Sequence, residues 1–216
     1  MSFSHAQTLG NLNSSAFVEG FDIKGKPFTA KKEESIEGSP MLNDEWAQGS
    51  VKFTNRRLLT KVELQFSVYD NELYFRKDNI VYMFADPVKE FSFSYSDNSG
   101  SHNVLFRNGY PDFDNRKGSS FYQVLADGSK IQLLKYMYKR ISENNPYASP
   151  GERTYNDIEE LFVYDSAKGK LIRIKSDKTS LIKALPTCET NINNFFSARK
   201  KASEDELKSH VAKLNE

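Results

Sequence analysis

The amino-acid sequence predicts a mainly β protein of the α+β class: a curved antiparallel sheet or partly closed barrel of about 8 to 10 strands, followed by C-terminal helices. Apolar and polar residues alternate without exception over residues 62–68, which is typical of a strand with one buried face. Short runs rich in aromatic and β-branched residues recur at intervals of about 8 to 12 residues, which leaves no room for crossover helices. After Ser176 the apolar residues change to helical spacing.

We expect residues 1–37 to be the remnant of a signal peptide followed by an extended arm with room for one short strand. Ser4 and Ala6 have the spacing of the small residues that a signal peptidase recognises, which would make Gln7 the first mature residue. The hydrophobic segment that normally precedes such a site is missing. The alternative is an ordinary N-terminus of a cytoplasmic protein, and these few residues leave both interpretations open.

Residues 38–216 are expected to form a single β-rich domain with a helical tail over about 177–216. The sheet is expected to begin near Ser50. Further strands are predicted over residues 62–68, 73–76, 80–85, 90–95, 103–106, 121–125 and 130–138, with another hairpin over 160–175.

Two pairs of acidic and amide residues lie in the predicted turns of this sheet. Asp70 precedes Asn71, and Asp78 precedes Asn79, where the chain reverses. Asp and Asn are favoured there because they tolerate left-handed backbone and bond to their own main chain. We therefore interpret Asp70 and Asp78 as turn residues rather than catalytic carboxylates, and expect Glu72 to face solvent.

Three helices are predicted in the tail. Ser176 can cap the first helix, and Ser203 with Glu206 forms a capping box at the start of the third. The second is predicted from the helical spacing of Ile192, Phe195, Phe196 and Arg199. We expect the tail to pack on the sheet through the apolar side chains of Leu181, Leu185, Phe195 and Leu207.

Charge and composition argue against several classes of function. The chain has 30 basic and 29 acidic residues, so no field of one sign attracts nucleic acid or an anionic membrane. Cys188 is the single cysteine, which excludes an intrachain disulfide and a cysteine-clustered metal site. No apolar run approaches the roughly 18 residues of a transmembrane helix. We therefore expect no nucleic-acid partner, no transmembrane segment and no cofactor.

The three histidines do not form a metal-binding pattern. His5, His102 and His210 lie far from one another, and none has the spacing of a metal ligand from another His, Cys or carboxylate. Each is expected to be an ordinary surface residue. Sequence order leaves a Ser-His-Asp or Cys-His triad open, although no nucleophile elbow is present.

The stretch "RNGYPDFDNRKGSSFY", residues 107–122, is the candidate partner-binding loop. It brings together aromatic, acidic and basic side chains suited to a sugar, peptide or protein surface: Tyr110, Asp112, Phe113, Asp114 and Arg116. A calcium loop is a weaker alternative, because the spaced oxygen ligands and terminal Glu are absent. A further alternative is a long hairpin connection whose aromatic residues fold back on the core.

Four segments carry a resemblance to known proteins: "GSPMLNDEWAQGSVKF" (38–53), "LQFSVYDNELYFR" (64–76), "FYQVLADGSKIQLLK" (121–135) and "SLIKALPTCETNINNFF" (180–196). In this order they resemble an uncharacterised family of exported proteins from the Bacteroidetes lineage. The resemblance covers about residues 38 to 214 and rests on scaffold patterns rather than on a catalytic motif. It implies a signal peptide and export to the periplasm or the cell exterior, and it assigns no active-site residue.

Two functions from different classes follow from these observations. The favoured one is a non-catalytic exported binding or envelope-interaction protein, with an envelope protein or a glycan as its partner. The alternative is a hydrolase that acts on an envelope or extracellular polymer, with Asp112 and Asp114 joined in the fold by a remote His or Tyr. The sequence does not specify the oligomeric state.

Overall fold

The computed structural model describes residues 18–19, 25–27, 36–143 and 152–216. In these residues the protein is mainly β, with thirteen strands in one largely antiparallel sheet and three α-helices at the C-terminal end. The predicted fold class is confirmed. The strands are β1 (Val18–Glu19), β2 (Gly25–Pro27), β3 (Ile36–Glu37), β4 (Ala47–Phe53), β5 (Leu58–Ser67), β6 (Glu72–Lys77), β7 (Ile80–Phe84), β8 (Val88–Asp97), β9 (Gly100–Arg107), β10 (Tyr122–Ala126), β11 (Ile131–Glu143), β12 (Arg153–Asp165) and β13 (Lys170–Ile174).

The strands follow the order β13-β12-β11-β10-β9-β8-β4-β5-β6-β7-β2, and neighbours on this path are antiparallel. Two short strands attach in parallel, β1 to β5 and β3 to β12. The path ends at β13 and β2, so the sheet is not closed into a barrel. The strands predicted from Ser50 to the hairpin over 160–175 correspond to β4–β13. The N-terminal arm, for which the sequence predicted at most one short strand, contains the three short strands β1–β3.

The sheet is strongly curled. Rings of Phe66 on β5 and Phe106 on β9 lie 4.7 Å apart, although β4 and β8 run between these strands. In a flat sheet three strand spacings would separate them by about 14 Å. The curl encloses an aromatic core on what we call the inner face; its fully buried members include Leu64, Phe66, Phe75, Phe91 and Phe106.

A short segment links β12 to β5, two strands of the curled sheet that do not pair with each other. This strap, residues 36–42, begins as β3 beside Arg153 of β12. The backbone N–H of Val68 donates to Pro40 O at 2.9 Å, and the N–H of Leu42 donates to Phe66 O at 2.9 Å. The strap therefore connects β12 to the end of β5 without completing a ladder.

The predicted turn residues adopt the expected backbone. Asn71, Asp78 and Asn79 have φ values of 58°, 51° and 61°, the left-handed region that Asn and Asp tolerate. Asn71 has a second role, because its amide donates to Phe121 O and its Oδ1 accepts from the Phe121 N–H at 2.7 Å. These two bonds fasten the β5–β6 turn to the residue before β10.

The three helices are α1 (Lys178–Ala184), α2 (Glu189–Phe195) and α3 (Glu204–Leu214), with a 3-10 turn over Pro186–Cys188. The expected capping box of α3 is confirmed, since Ser203 and Glu206 bond reciprocally. The cap predicted for α1 is wrong by one residue. Asp177, not Ser176, has extended backbone and accepts the Ser180 N–H at 2.9 Å.

The helices pack on the inner face of β11–β13. The predicted packing is confirmed: Leu181, Leu185 and Leu207 are fully buried there, and Phe195 packs against the same cluster although it is only partly buried. The neighbouring Phe196 is the buried ring, 4% exposed, while Phe195 is half-buried against His210. No helix in the described ranges is long and apolar enough to cross a membrane.

Candidate functional site

The loop between β9 and β10 covers the outer face of β10–β13, opposite the helices. Tyr110 is buried there, with its ring 5.5 Å from that of Tyr122 and 5.2 Å from that of Tyr164. Its hydroxyl donates to Oε1 of Gln132 at 2.8 Å, and burial raises the pKa of Tyr110 to about 12. Tyr110 therefore anchors the loop to the sheet rather than presenting a ring to solvent.

Phe113 and Arg116 close a tight turn inside this loop. Their backbone groups exchange two hydrogen bonds of 3.0 and 2.9 Å, and Asp114 at the turn has a φ of 49°. The Phe113 ring packs edge-on against Phe162 of β12, with centroids 5.1 Å apart. The loop thus folds back on the sheet.

Arg116 lies deepest among the charged residues of the loop. Its Nη2 is 2.5 Å from Oε2 of Glu160, and its guanidinium lies 4.2 Å from the centroid of the Tyr136 ring. The side chain is 12% exposed. Nη1 of Arg116 and the hydroxyl of Tyr122 are buried without a hydrogen-bond partner in the described part of the chain. Burial also raises the pKa of Tyr122 to about 12.

The two aspartates of the loop are exposed and have separate partners. Oδ1 of Asp112 accepts the Gly118 N–H at 2.8 Å, which holds the loop closed. Asp114 lies 3.9 Å from Nη1 of Arg173 on β13. In the ranges that the structure describes, no group of three or more His, Cys, Asp or Glu side chains could hold a metal ion.

Partly exposed side chains of β11 extend this loop into a larger surface. Tyr136 and Tyr138 have ring centroids 5.8 Å apart, and Nη2 of Arg140 donates to the Tyr138 hydroxyl at 3.3 Å. We call the set Phe113, Arg116, Tyr136, Tyr138 and Arg140 the aromatic–arginine surface. Sequence analysis missed its β11 members, although their period of two places them on one face of a strand.

A Ser-His-Asp cluster lies in the β8–β9 turn but is not arranged for catalysis. Nε2 of His102 is 3.0 Å from Oγ of Ser99 and 2.9 Å from Oδ1 of Asp97. A catalytic triad uses one ring nitrogen for the serine and the other for the carboxylate. The same Asp97 oxygen also accepts from the N–H and hydroxyl of Ser99, so the cluster stabilises the turn and lowers the pKa of Asp97.

His210 is not the surface residue that the sequence suggested. It is buried on α3, its ring is stacked 4.1 Å from that of Phe195, and its Nε2 has no partner among the described residues. Burial, with a smaller effect of Lys213, lowers the pKa of His210. A stacked, desolvated imidazole of this kind is a packing group in the helical layer.

An acidic cavity of 360 Å³ lies at the end of the curled sheet. Asp70, Glu72 and Asp86 are among its lining residues. Arg57 pairs with Asp86 at 2.7 Å, and Ser67 donates to Asp70 at 2.9 Å. Glu72 is exposed as predicted, although partial desolvation by its surroundings raises its pKa.

The protein is thus a curled antiparallel sheet with helices on its inner face and an aromatic loop on its outer face. Comparison with family models, curated proteins and solved structures gives no match to this chain. The resemblance to exported Bacteroidetes proteins stays a prediction, as does export itself, because Ser4, Ala6 and Gln7 lie outside the described residues.

Proposed function

We propose that the protein is a non-catalytic, exported binding protein that contacts an envelope protein or glycan through the aromatic–arginine surface. The observation that carries the proposal is the Tyr136–Tyr138–Arg140 row beside the anchored loop. These side chains are only partly covered, and Arg116 already lies over the Tyr136 ring.

The chemistry of this surface suits a flat, polar partner. Tyrosine rings offer large apolar faces on which a sugar ring or a peptide group can stack, and their hydroxyls remain available for hydrogen bonds. Arginine adds a planar cation with several donors. Since the loop is held to the sheet by Tyr110 and Phe113, little conformational entropy is lost when a partner binds.

The hydrolase alternative gains no support from the described residues. Asp112 is occupied with the backbone of Gly118, and Asp114 faces Arg173. A working carboxylate pair needs one acid and one base or nucleophile on opposite sides of a scissile bond. Neither aspartate lies beside such a partner in a cleft.

The binding surface is tested with a variant that leaves the buried anchors in place. Tyr138→Ser combined with Arg140→Ser should abolish capture of envelope glycans on an array, or of a partner from envelope extracts. A double variant of exposed residues on β4, Gln48→Ala with Lys52→Ala, is the matched control. Equal capture by both variants and the wild type would remove this surface from the proposal. Turnover of an envelope polymer that is lost in Asp112→Asn would defeat the binding function.

Export is tested separately by N-terminal sequencing of the protein from its native host. We expect a mature N-terminus near Gln7 in the periplasm or medium, because Ser4 and Ala6 match the recognition spacing of signal peptidase. Recovery of intact Met1 from the cytoplasm would contradict export without affecting the binding surface.

A further inference from the structure

Among the described residues, one stretch of the β12 edge has no strand partner. β13 pairs with its residues 161–165, and β3 pairs with Arg153 and Thr154. Between them, residues 156–160 pair with β11 alone among the described parts of the chain. These five residues span about 16 Å of the strand.

A groove lies beside this edge, where the chain leaves β13 and enters α1. It has a volume of 780 Å³, and its lining includes Glu159 and Glu160 of β12, Ser176 before α1, Ser180 and Lys183 within α1, and Lys201. The groove therefore adjoins one end of the unpaired edge and is bordered by polar side chains.

Each acidic side chain at this edge has a basic partner, and the lysine that pairs with Glu159 is shared with Glu204. Asp157 pairs with Lys139 at 3.1 Å, Glu159 with Lys135 at 3.1 Å, and Glu160 with Arg116 at 2.5 Å. The negative charge of this edge is therefore compensated in part.

The lysines around the groove have no such partners. Lys175, Lys183 and Lys201 are exposed and make no ion pair with any described residue. The third acidic residue of the groove, Asp177, caps α1 and keeps its negative charge. A ligand in the groove would therefore meet three lysines that have no ion-pair partner among the described residues, against this one carboxylate.

We propose that an extended acidic peptide binds here by adding a strand to the β12 edge over residues 156–160. The free backbone groups of an edge strand are a template for main-chain hydrogen bonds, which favours an extended peptide. The lysines select acidic side chains on that peptide. This site borders the aromatic–arginine surface, since β12 residues 158 and 160 lie opposite Tyr138 and Tyr136 of β11, but it uses the other edge of β12 and the lysines of the groove. It adds a second class of partner to the proposed function, and its peptide test changes none of the five residues of that surface.

The test measures fluorescence anisotropy with a labelled, blocked hexapeptide in which Glu and Val alternate. We expect saturable binding that weakens as salt is added, and at least about tenfold weaker binding of the matching Lys–Val peptide, equivalent to about 1.4 kcal/mol. Lys183→Glu combined with Lys201→Glu should cause a similar loss. The control is Lys52→Glu combined with Lys77→Glu, which should bind the acidic peptide as the wild type does.

A second peptide distinguishes strand addition from simple charge attraction. Two methylated versions of the acidic peptide are compared, one with N-methyl groups on the Glu nitrogens and one with them on the Val nitrogens; we call these the two phases. Each phase removes the main-chain donors of one edge of the extended peptide and keeps the side-chain charge. One phase should lose binding and the other should retain it. Retention in both phases, or equal binding of acidic and basic peptides, would overturn the proposal. Tighter binding of a heparin hexasaccharide that competes fully with the peptide would also overturn it, in favour of a general polyanion site.

Discussion

The adjacent rings Phe195 and Phe196 allow a sharp test of how the helices are held on the sheet. Phe196 is 4% exposed within the core formed by the helices and β11–β13. Replacing a fully buried Phe by Ala costs about 3 to 5 kcal/mol, because transfer energy is lost and a cavity remains. Phe195 is half-buried and stacks on His210, so Phe195→Ala should cost about 1 to 2 kcal/mol.

The assay is urea unfolding followed by far-ultraviolet circular dichroism and by tyrosine fluorescence. With an m-value of about 2.5 kcal/mol/M, Phe196→Ala should lower the midpoint by about 1.5 M and Phe195→Ala by about 0.5 M. Equal shifts, or a larger shift for Phe195→Ala, would refute the assignment of the buried ring. A transition in which the sheet signal keeps the wild-type midpoint would show that the helices unfold as a separate unit.

Three further changes have defined outcomes. Asn71→Gly keeps the left-handed backbone but removes two hydrogen bonds to Phe121, the residue before β10. It should therefore lower the free energy of unfolding in urea by about 1 to 3 kcal/mol. The control Asn79→Gly should change that free energy by no more than about 0.3 kcal/mol. The pKa of His210 is lowered in the folded protein, so as pH falls the unfolded chain binds a proton at this residue before the folded chain does. Stability should therefore decrease as pH drops below about 6.5. In a series of melting midpoints measured against pH, His210→Leu should show a weaker decrease. Burial opposes ionisation of Glu204, but hydrogen bonds from Lys135 and a neighbouring lysine hold its pKa below the usual value. The stability that this provides is present above about pH 4.5 and lost as pH falls further, so Lys135→Met should weaken that acid dependence when unfolding is measured from pH 7 to pH 3.

Local patterns predict most of the sheet because each strand from β4 to β13 carries its own signal. The alternation over residues 62–68 places Leu64 and Phe66 on the buried face, and short Asp-Asn turns separate β5, β6 and β7. The strands β2 and β3 cannot be predicted from local patterns, because they are only two or three residues long and form through pairing with distant strands.

The details of the tail and of the candidate loop that the sequence did not predict have a common physical cause. Phe195 and Phe196 both fit a helical stripe, and the geometry of the helix end on the sheet decides which ring is buried. The same holds for His210, whose burial depends on the neighbouring helix. The loop residues were found from their chemistry, but which side chains anchor and which face solvent is decided by contacts with β11–β13 that lie far away in sequence.

The strap has a consequence for the order in which the molecule is assembled. Its residue Glu37 contacts Thr154, which lies 117 positions later in the chain. At a synthesis rate of about 5 to 20 residues per second, the strap waits roughly 6 to 23 s before its docking strand has been made. The core residues on β4–β9 all precede Thr154 in the chain, so this part of the sheet can curl before the β12 end of the strap docks. In that order of events the strap is a latch on a curvature that the inner aromatic residues produce.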